Sequence, residues 1–193
     1  MTTSTNGTAV AAFNALPGPE ATRQLLTCLA VPRWAQEVAD GRPYADMTAL
    51  TTRAEAAAAE LSDEELTAAL ARHPRIGERA GSGHDAAFSA REQAGVDPDD
   101  AIGARIAAGN VEYERRFGRV FLIRAADRSA PEILAELQRR LGNDESTERA
   151  ETVTQLREIA VLRLGDVVEH TRRDGLDGGV ARPTRHDEKG SRR

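Results

Sequence analysis

Two helix-start motifs and a near absence of strand patterns constrain the fold of this chain more than any other feature of its sequence. Ser62 is followed three residues later by Glu65, and Ser129 by Glu132. Each pair has the spacing of a capping box, which closes the first turn of a helix. Ala, Leu, Glu and Arg, all strong helix formers, are abundant, while aromatic residues make up 4% of the chain. The sequence therefore predicts an all-α protein.

Prolines and glycines divide the chain into about eight predicted helices. Pro74 ends the helix that begins at Ser62, and Gly118 stops the helix that begins near Pro98. The one strand-like run in the sequence, residues 119–124, is too isolated to form a sheet. We interpret it as extended, buried chain between two helices.

The length of the chain predicts a single compact domain. With 193 residues it can bury a core without disulfides or metals. Residues 171–193 are rich in Gly, Asp, Arg and Lys and have almost no large apolar side chains, so we expect a disordered polar tail. Residues 1–10 are expected to be disordered as well. The helical domain is therefore predicted over residues 11–170.

Charge and cysteine content argue against several classes of function. The formal net charge is -5, and the 26 basic residues are spread along the chain, which does not suggest a nucleic-acid surface. Cys28 is the single cysteine, so the chain forms no internal disulfide, and Cys28 alone cannot build a thiolate zinc site. We interpret Cys28 as a small buried hydrophobic residue. The spacing of the four histidines fits no metal motif, so a metal site is not expected.

The sequence also predicts where the protein resides. No run approaches the roughly 18 apolar residues that a membrane span needs. Residues 1–10 lack the basic and apolar regions of a signal peptide. The last three residues, Ser-Arg-Arg, differ from a peroxisomal Ser-Lys-Leu signal. We therefore expect a cytoplasmic protein that does not act on membranes.

The first segment that points to chemistry is His-Pro-Arg-Ile-Gly-Glu, residues 73–78. His73 follows a predicted helix, and the negative end of the helix dipole favours a protonated imidazole there. Pro74 holds the backbone before it extended, and a glycine-bearing loop follows, where functional residues concentrate. Two interpretations stay open: His73 is either a proton carrier or a structural histidine before a proline.

A second polar set lies on one predicted helix. Ser89, Glu92 and Gln93 are neighbours on one helical face, because positions i, i+3 and i+4 lie together. They would supply a hydroxyl, a carboxylate and an amide to a polar substrate. The alternative is a solvated helix face beside Arg91.

Arg163 falls inside the apolar stripe of the last predicted helix, four residues after Ile159 and three after Ala160. A buried guanidinium without a partner is costly, so this position needs an explanation. Two structural interpretations stay open: Arg163 snorkels at the edge of the stripe, or it pairs with a buried acid. In the functional interpretation, its guanidinium binds a carboxylate or ureido oxygen of a substrate.

Taken in order, these segments resemble the 2-oxo-4-hydroxy-4-carboxy-5-ureidoimidazoline (OHCU) decarboxylase family of urate breakdown. The resemblance covers residues 11–170 and depends on the ordered combination of motifs rather than on any single one. The matching stretches are residues 73–77, 89, 92–95, 110–118, 120–123, 128–129, 132–134, 141–143, 158–160 and 163–164.

The resemblance implies an all-α fold, often a homodimer, that uses no cofactor. It implies that His73 is the catalytic histidine, with Glu92 as its partner and Arg163 completing the catalytic set. The implied substrate-binding positions are Pro74, Ser89 and Gln93, with main chain at Phe121, Leu122 and Ile123. Asp127 stands where the family usually carries glycine. Aspartate tolerates a left-handed turn better than most residues, so this departure concerns local loop geometry rather than the reaction.

The implied reaction is the decarboxylation of OHCU to (S)-allantoin. The carbon that loses CO₂ adjoins a C=N bond, which accepts the released electron pair, so the substrate is its own electron sink. Two alternatives stay open. One is a related lyase or hydrolase that acts on another ureido or carboxylated heterocycle. The other is a non-catalytic helical binding module, although the sequence shows no excess of apolar residues for such a groove.

Overall fold

The structure, a computed structural model, describes residues 3–76, 101–126 and 128–177. Within these ranges the chain forms eight α-helices and no strand, which confirms the all-α prediction. The helices are α1 (Thr3–Ala15), α2 (Gly18–Cys28), α3 (Pro32–Asp40), α4 (Met47–Ala59), α5 (Asp63–Leu70), α6 (Ala101–Phe117), α7 (Ala130–Arg140) and α8 (Glu145–Asp177). None of these described helices is both long enough and apolar enough to cross a membrane.

Both predicted capping boxes and the predicted stop at Gly118 are present, whereas the predicted helix start near Pro98 lies outside the described residues. The Ser62 hydroxyl accepts a hydrogen bond from the N–H of Glu65, whose carboxylate accepts in turn from the N–H of Ser62 at 3.0 Å. Ser129 and Glu132 form the second capping box, at the start of α7, where the Ser129 N–H donates to the carboxylate at 2.7 Å. Gly118 follows α6 with a φ of +65°, a left-handed conformation that glycine adopts without steric cost.

The N-terminal boundary differs from the prediction of a disordered segment over residues 1–10. Helix α1 begins at Thr3, and Ala9, Val10 and Phe13 on it are buried, at 4%, 1% and 0% exposed. These side chains lie on one helical face, and α1 packs mainly against α8. The Thr/Ala-rich composition led to the prediction of disorder, but three apolar residues at helical spacing order the segment.

The C-terminal boundary also differs, since α8 continues past the predicted end at residue 170 to Asp177. Thr171 explains part of the extension. It is 6% exposed, and its hydroxyl lies 2.8 Å from the side-chain oxygen of Gln24 on α2. Residues 178–193, the rest of the predicted tail, lie outside the described residues.

The core consists of two hydrophobic clusters. The first cluster joins α1 to α5 with α8, and its largest member, Trp34, is fully buried and donates from Nε1 to the carbonyl of Ala54 at 2.9 Å. The second cluster joins α6 and α7, with Ile106 and Ile133 fully buried at its centre.

Residues 121–123 lie between the two clusters. Phe121 and Ile123 belong to the second cluster, whereas Leu122 belongs to the first, and all three are at most 5% exposed. Side chains that alternate between two sides are typical of an extended backbone. The segment is outside any helix or strand. Residues 121–123 are therefore buried as predicted, whereas residues 119, 120 and 124 of the predicted run are half-buried.

A buried ion pair connects α6, α7 and α8. Arg140 of α7 and Glu148 of α8 are 1% and 0% exposed, and Nε of Arg140 lies 2.9 Å from Oε1 of Glu148. The hydroxyl of Tyr113 on α6 donates to the same carboxylate, and Asn143 donates to its other oxygen at 2.8 Å. Burial, with the contact to Glu148, raises the pKa of Tyr113 to about 12, so the phenol keeps its proton at neutral pH.

We predict that Arg140→Met destabilises the protein far more than the same change at the preceding position, Arg139. Removing one partner of a buried pair leaves an uncompensated charge, which costs about 3–5 kcal/mol. Arg139, which is 48% exposed in its side chain, pairs with Glu136 and Glu151 at the surface, and Arg139→Met should cost at most about 1 kcal/mol. Urea unfolding of both variants measures the difference. If both variants lose the same free energy of unfolding, the buried ion pair has no special role in stability.

Candidate active site

His73 lies in the turn that follows α5, with Nδ1 3.0 Å from the carbonyl oxygen of Ala69 in the last turn of that helix. A carbonyl oxygen only accepts hydrogen bonds, so this contact places the proton on Nδ1 in the neutral ring. The buried Nε2 is then the nitrogen without a proton in the neutral ring. The backbone of α5 therefore fixes both the tautomer and the orientation of the imidazole.

The loop after His73 is tied to α6 at two points. Asn110 is 3% exposed, and its Nδ2 donates to the carbonyl of Ile76 at 3.0 Å. Arg75 pairs with Glu114, with Nη2 2.8 Å from Oε2, and this guanidinium lowers the pKa of the Glu114 carboxyl. One neutral and one charged contact together fix the loop relative to α6.

The extended segment shares one cluster with the His73 loop and the other with α8. Ile76 belongs to the second cluster together with Phe121 and Ile123. Leu122 belongs to the first cluster, which also includes apolar residues of α8 such as Ile159.

Arg163 lies on the buried stripe of α8, as predicted, and is 3% exposed. That exposure excludes a snorkelling arginine, which would keep its guanidinium in water. Arg163 is near Cys28 of α2. Burial raises the pKa of the Cys28 thiol to about 12, and the positive charge of Arg163 acts in the opposite direction. A buried cation therefore lies among the apolar residues of the first cluster.

Part of the predicted site lies outside the described residues. This holds for Ser89, Glu92 and Gln93, and also for Asp127. The structure describes the other predicted positions: His73, the half-buried Pro74, residues 121–123 and Arg163.

A cavity of about 550 Å³ lies at a place other than the predicted site. It lies between α5, the chain that follows α6 and the first turn of α8. Its charged residues are paired, with Arg119 2.6 Å from Glu145 and Arg149 2.6 Å from Asp63. None of the predicted site residues lines this cavity.

The described residues supply an imidazole, a buried guanidinium and an extended backbone segment. An imidazole transfers protons near neutral pH, and a guanidinium binds planar pairs of oxygen atoms. Within residues 3–76, 101–126 and 128–177, no group of three or more His, Cys, Asp or Glu side chains is arranged to hold a metal ion. This set suits acid–base chemistry on a polar, planar molecule.

Residues 14–165 match the family model of the OHCU decarboxylases. The chain belongs to the OHCU decarboxylase family. Members of this family are carboxy-lyases, enzymes that break a carbon–carbon bond and release CO₂. The resemblance seen in the sequence motifs is confirmed.

Two relatives agree with this family. The OHCU decarboxylase of Haloferax volcanii is 30% identical over 138 residues, which cover 70% of this chain and 80% of that protein. The OHCU decarboxylase of Amia calva is 38% identical over 74 residues, covering 38% of this chain and 41% of that protein.

The solved structures support the fold. An OHCU decarboxylase crystallised in the presence of (S)-allantoin superposes with a TM-score of 0.63 at 20% identity, over 74% of this chain and 95% of that chain. An (S)-allantoin synthase superposes with a TM-score of 0.61 at 18% identity, over 82% of this chain and 53% of that chain. At these identities the similarity concerns the helical architecture alone.

The contact that Asn110 makes was not predicted. The structure shows that its side chain holds the loop of the catalytic candidate His73. A signal was present, because Asn110 lies four residues after Ile106 and three before Tyr113 on the buried stripe of α6. A polar side chain at such a position needs a hydrogen-bond partner. The spacing could not show that the partner is Ile76.

We predict that Cys28 resists alkylation in the folded protein. A thiol with a pKa of about 12 stays protonated at pH 8, so its thiolate fraction is about 10³-fold lower than that of a free cysteine. Iodoacetamide labelling at pH 8, followed by mass spectrometry, measures the rate with and without urea. Rapid labelling of the folded protein would contradict the burial of Cys28 beside Arg163.

Proposed function

We propose that this protein catalyses the cofactor-independent decarboxylation of OHCU to (S)-allantoin in urate catabolism. The observation that carries the proposal is the family match over residues 14–165, which include His73, the extended segment and Arg163. The names of the relatives and solved structures support the same chemistry.

The chemistry of the substrate explains why we propose no cofactor. The carbon that loses CO₂ carries a hydroxyl group and adjoins a C=N bond. When the carbon–carboxylate bond breaks, its electron pair moves into that C=N bond. Orientation, placement of charge and delivery of a proton are then the tasks left to the protein.

His73 is proposed as the group that moves the proton. The contact of Nδ1 with the Ala69 carbonyl supports this role, because it leaves Nε2 to exchange a proton with the substrate. We propose that Glu92 adds a negative charge that orients and tunes the imidazole. His73 then handles the hydroxyl proton of the substrate or protonates the intermediate on one face, which gives a single enantiomer of allantoin.

The remaining site residues are proposed to hold the substrate. Arg163 and Gln93 would bind the ureido and ring oxygens, and a buried guanidinium supports such a role because it binds oxygen pairs strongly. Pro74 and Ser89 would line the site. The main chain of residues 121–123 would supply further hydrogen bonds, and the segment's place in the same clusters as Ile76 and α8 supports this assignment.

We also propose that the protein is a cytoplasmic homodimer that binds a small molecule rather than nucleic acid or membrane. The family resemblance supports the dimer. The mildly acidic net charge of -5 is the usual solubility state of a cytosolic protein.

The test of the proposed reaction is circular dichroism of freshly generated OHCU, made in place from urate by a urate oxidase and a hydroxyisourate hydrolase. Rapid appearance of the (S)-allantoin signal on addition of this protein is the expected result. OHCU also decays without an enzyme, so rate and handedness are the quantities that matter. No acceleration by folded protein would overturn the proposal and favour another ureido or carboxylated heterocycle as substrate.

We predict that His73→Asn lowers turnover by about 10²–10⁴-fold, the usual contribution of a general acid–base group. The fold should persist, because the half-buried side chain lies in a turn after α5. His170→Asn, the same change at an exposed position on α8, is the matched control and should keep full turnover. A fully active His73→Asn enzyme would exclude His73 as the proton carrier.

A further inference from the structure

Two consecutive peptide units in the extended segment are each held by one side chain from a helix. Arg140 of α7 donates from Nη1 to the carbonyl oxygen of Leu122 at 2.7 Å. Gln155 of α8 accepts, at Oε1, the N–H of Arg124 at 2.8 Å. The residue between these two contacts is Ile123.

Because a peptide unit is planar, these contacts also define the directions of the N–H and C=O groups of Ile123. Both peptide units that flank Ile123 are trans, so the C=O and N–H of each unit point in opposite directions. Because the Leu122 carbonyl points to Arg140, the Ile123 N–H points away from Arg140. Because the Arg124 N–H points to Gln155, the Ile123 carbonyl points away from Gln155.

Further contacts fix Arg140 and Arg124. Besides Glu148, Arg140 contacts the Thr152 hydroxyl at 3.2 Å, and its guanidinium carbon lies 4.8 Å from the centre of the Phe121 ring. Arg124 also pairs through its own side chain with Glu158, one turn after Gln155, at 3.5 Å. The two peptide planes therefore have little freedom to rotate.

We infer that Arg140 and Gln155 are positioning residues that present the N–H and C=O of Ile123 as a fixed donor–acceptor pair to the substrate. A donor beside an acceptor matches the C=O and N–H of an amide, and a ureido group or a ring amide carries that pair. This inference rests on the proposed function, in which the main chain of residues 121–123 binds substrate. Neither Arg140 nor Gln155 needs to touch the substrate to act in this way.

The inference predicts a defect in binding rather than in the chemical step. A hydrogen bond that holds the substrate equally in the ground state and the transition state lowers KM without changing kcat. Gln155→Met removes the acceptor at similar size and should raise KM about 3- to 10-fold, the worth of one hydrogen bond, with kcat changed less. Gln155→Glu keeps an acceptor oxygen and should bring KM to within about twofold of the native value.

The control and a milder variant keep the test decisive. Gln36→Met makes the same change on α3, where Gln36 bonds to Asp40 at 2.8 Å on an exposed surface, and should leave KM unchanged. If Gln155→Met does not fold, Gln155→Asn retains an amide but is too short to reach the Arg124 N–H, and the same rise in KM is expected. A purely structural Gln155 would lower the melting temperature without separating KM from kcat.

A second readout does not depend on turnover. The ¹⁵N-labelled native protein is titrated with (S)-allantoin, and the Ile123 amide resonance is expected to shift and saturate, at higher allantoin concentration in Gln155→Met. If the native protein has no decarboxylase activity, the proposed function is overturned. The shift of the Ile123 amide resonance on allantoin binding would still test the positioning role of Gln155. An unresponsive Ile123 amide, or a native KM in Gln155→Met and Gln155→Asn, would overturn the inference.

Discussion

The fold depends on the ion pair between Arg140 and Glu148. Transfer of two charges from water to a protein interior is costly, and the attraction between them compensates only when their remaining hydrogen-bonding groups are also satisfied. Here Tyr113, Asn143 and Thr152 supply those bonds from three separate parts of the chain. The pair therefore stabilises one arrangement of α6, α7 and α8 and disfavours others, because a shift of any of these helices would break several bonds at once.

An all-α protein has a particular difficulty in using its backbone for recognition. Residues inside a helix bond their N–H and C=O groups to each other, so few of them are available to a ligand. In the described part of the chain, two non-helical stretches are the turn after α5, which carries His73, and the buried segment with Ile123. Both are held by side chains from helices, through Asn110, Arg140 and Gln155. The helices thus fix backbone groups that they could not themselves provide.

Much of the fold followed from the sequence because its signals are local. A capping box needs a serine and a glutamate three residues apart, and residue spacing predicted that Arg163 lies within the apolar stripe of α8. The residues that were missed depend on partners far away. Arg140 lies three residues after Leu137 on the buried face of α7, the same signal that singled out Arg163. Spacing alone could not identify Glu148 as its partner across a turn. The roles of Ser89, Glu92 and Gln93 stay predictions.

One face of α8 links stability to the proposed chemistry. Glu148, Thr152, Gln155, Ile159 and Arg163 follow one another at intervals of three or four residues, so they lie on one side of the helix. At 1.5 Å per residue this stripe is roughly 22 Å long. Its first turns hold the buried ion pair, its middle holds the Arg124 N–H, and its end carries the buried guanidinium. Because a helix moves as a rigid unit, the contact that fixes Glu148 also sets the distance from the extended segment to Arg163. Substitutions that loosen the ion pair should therefore disturb substrate binding even where the fold survives.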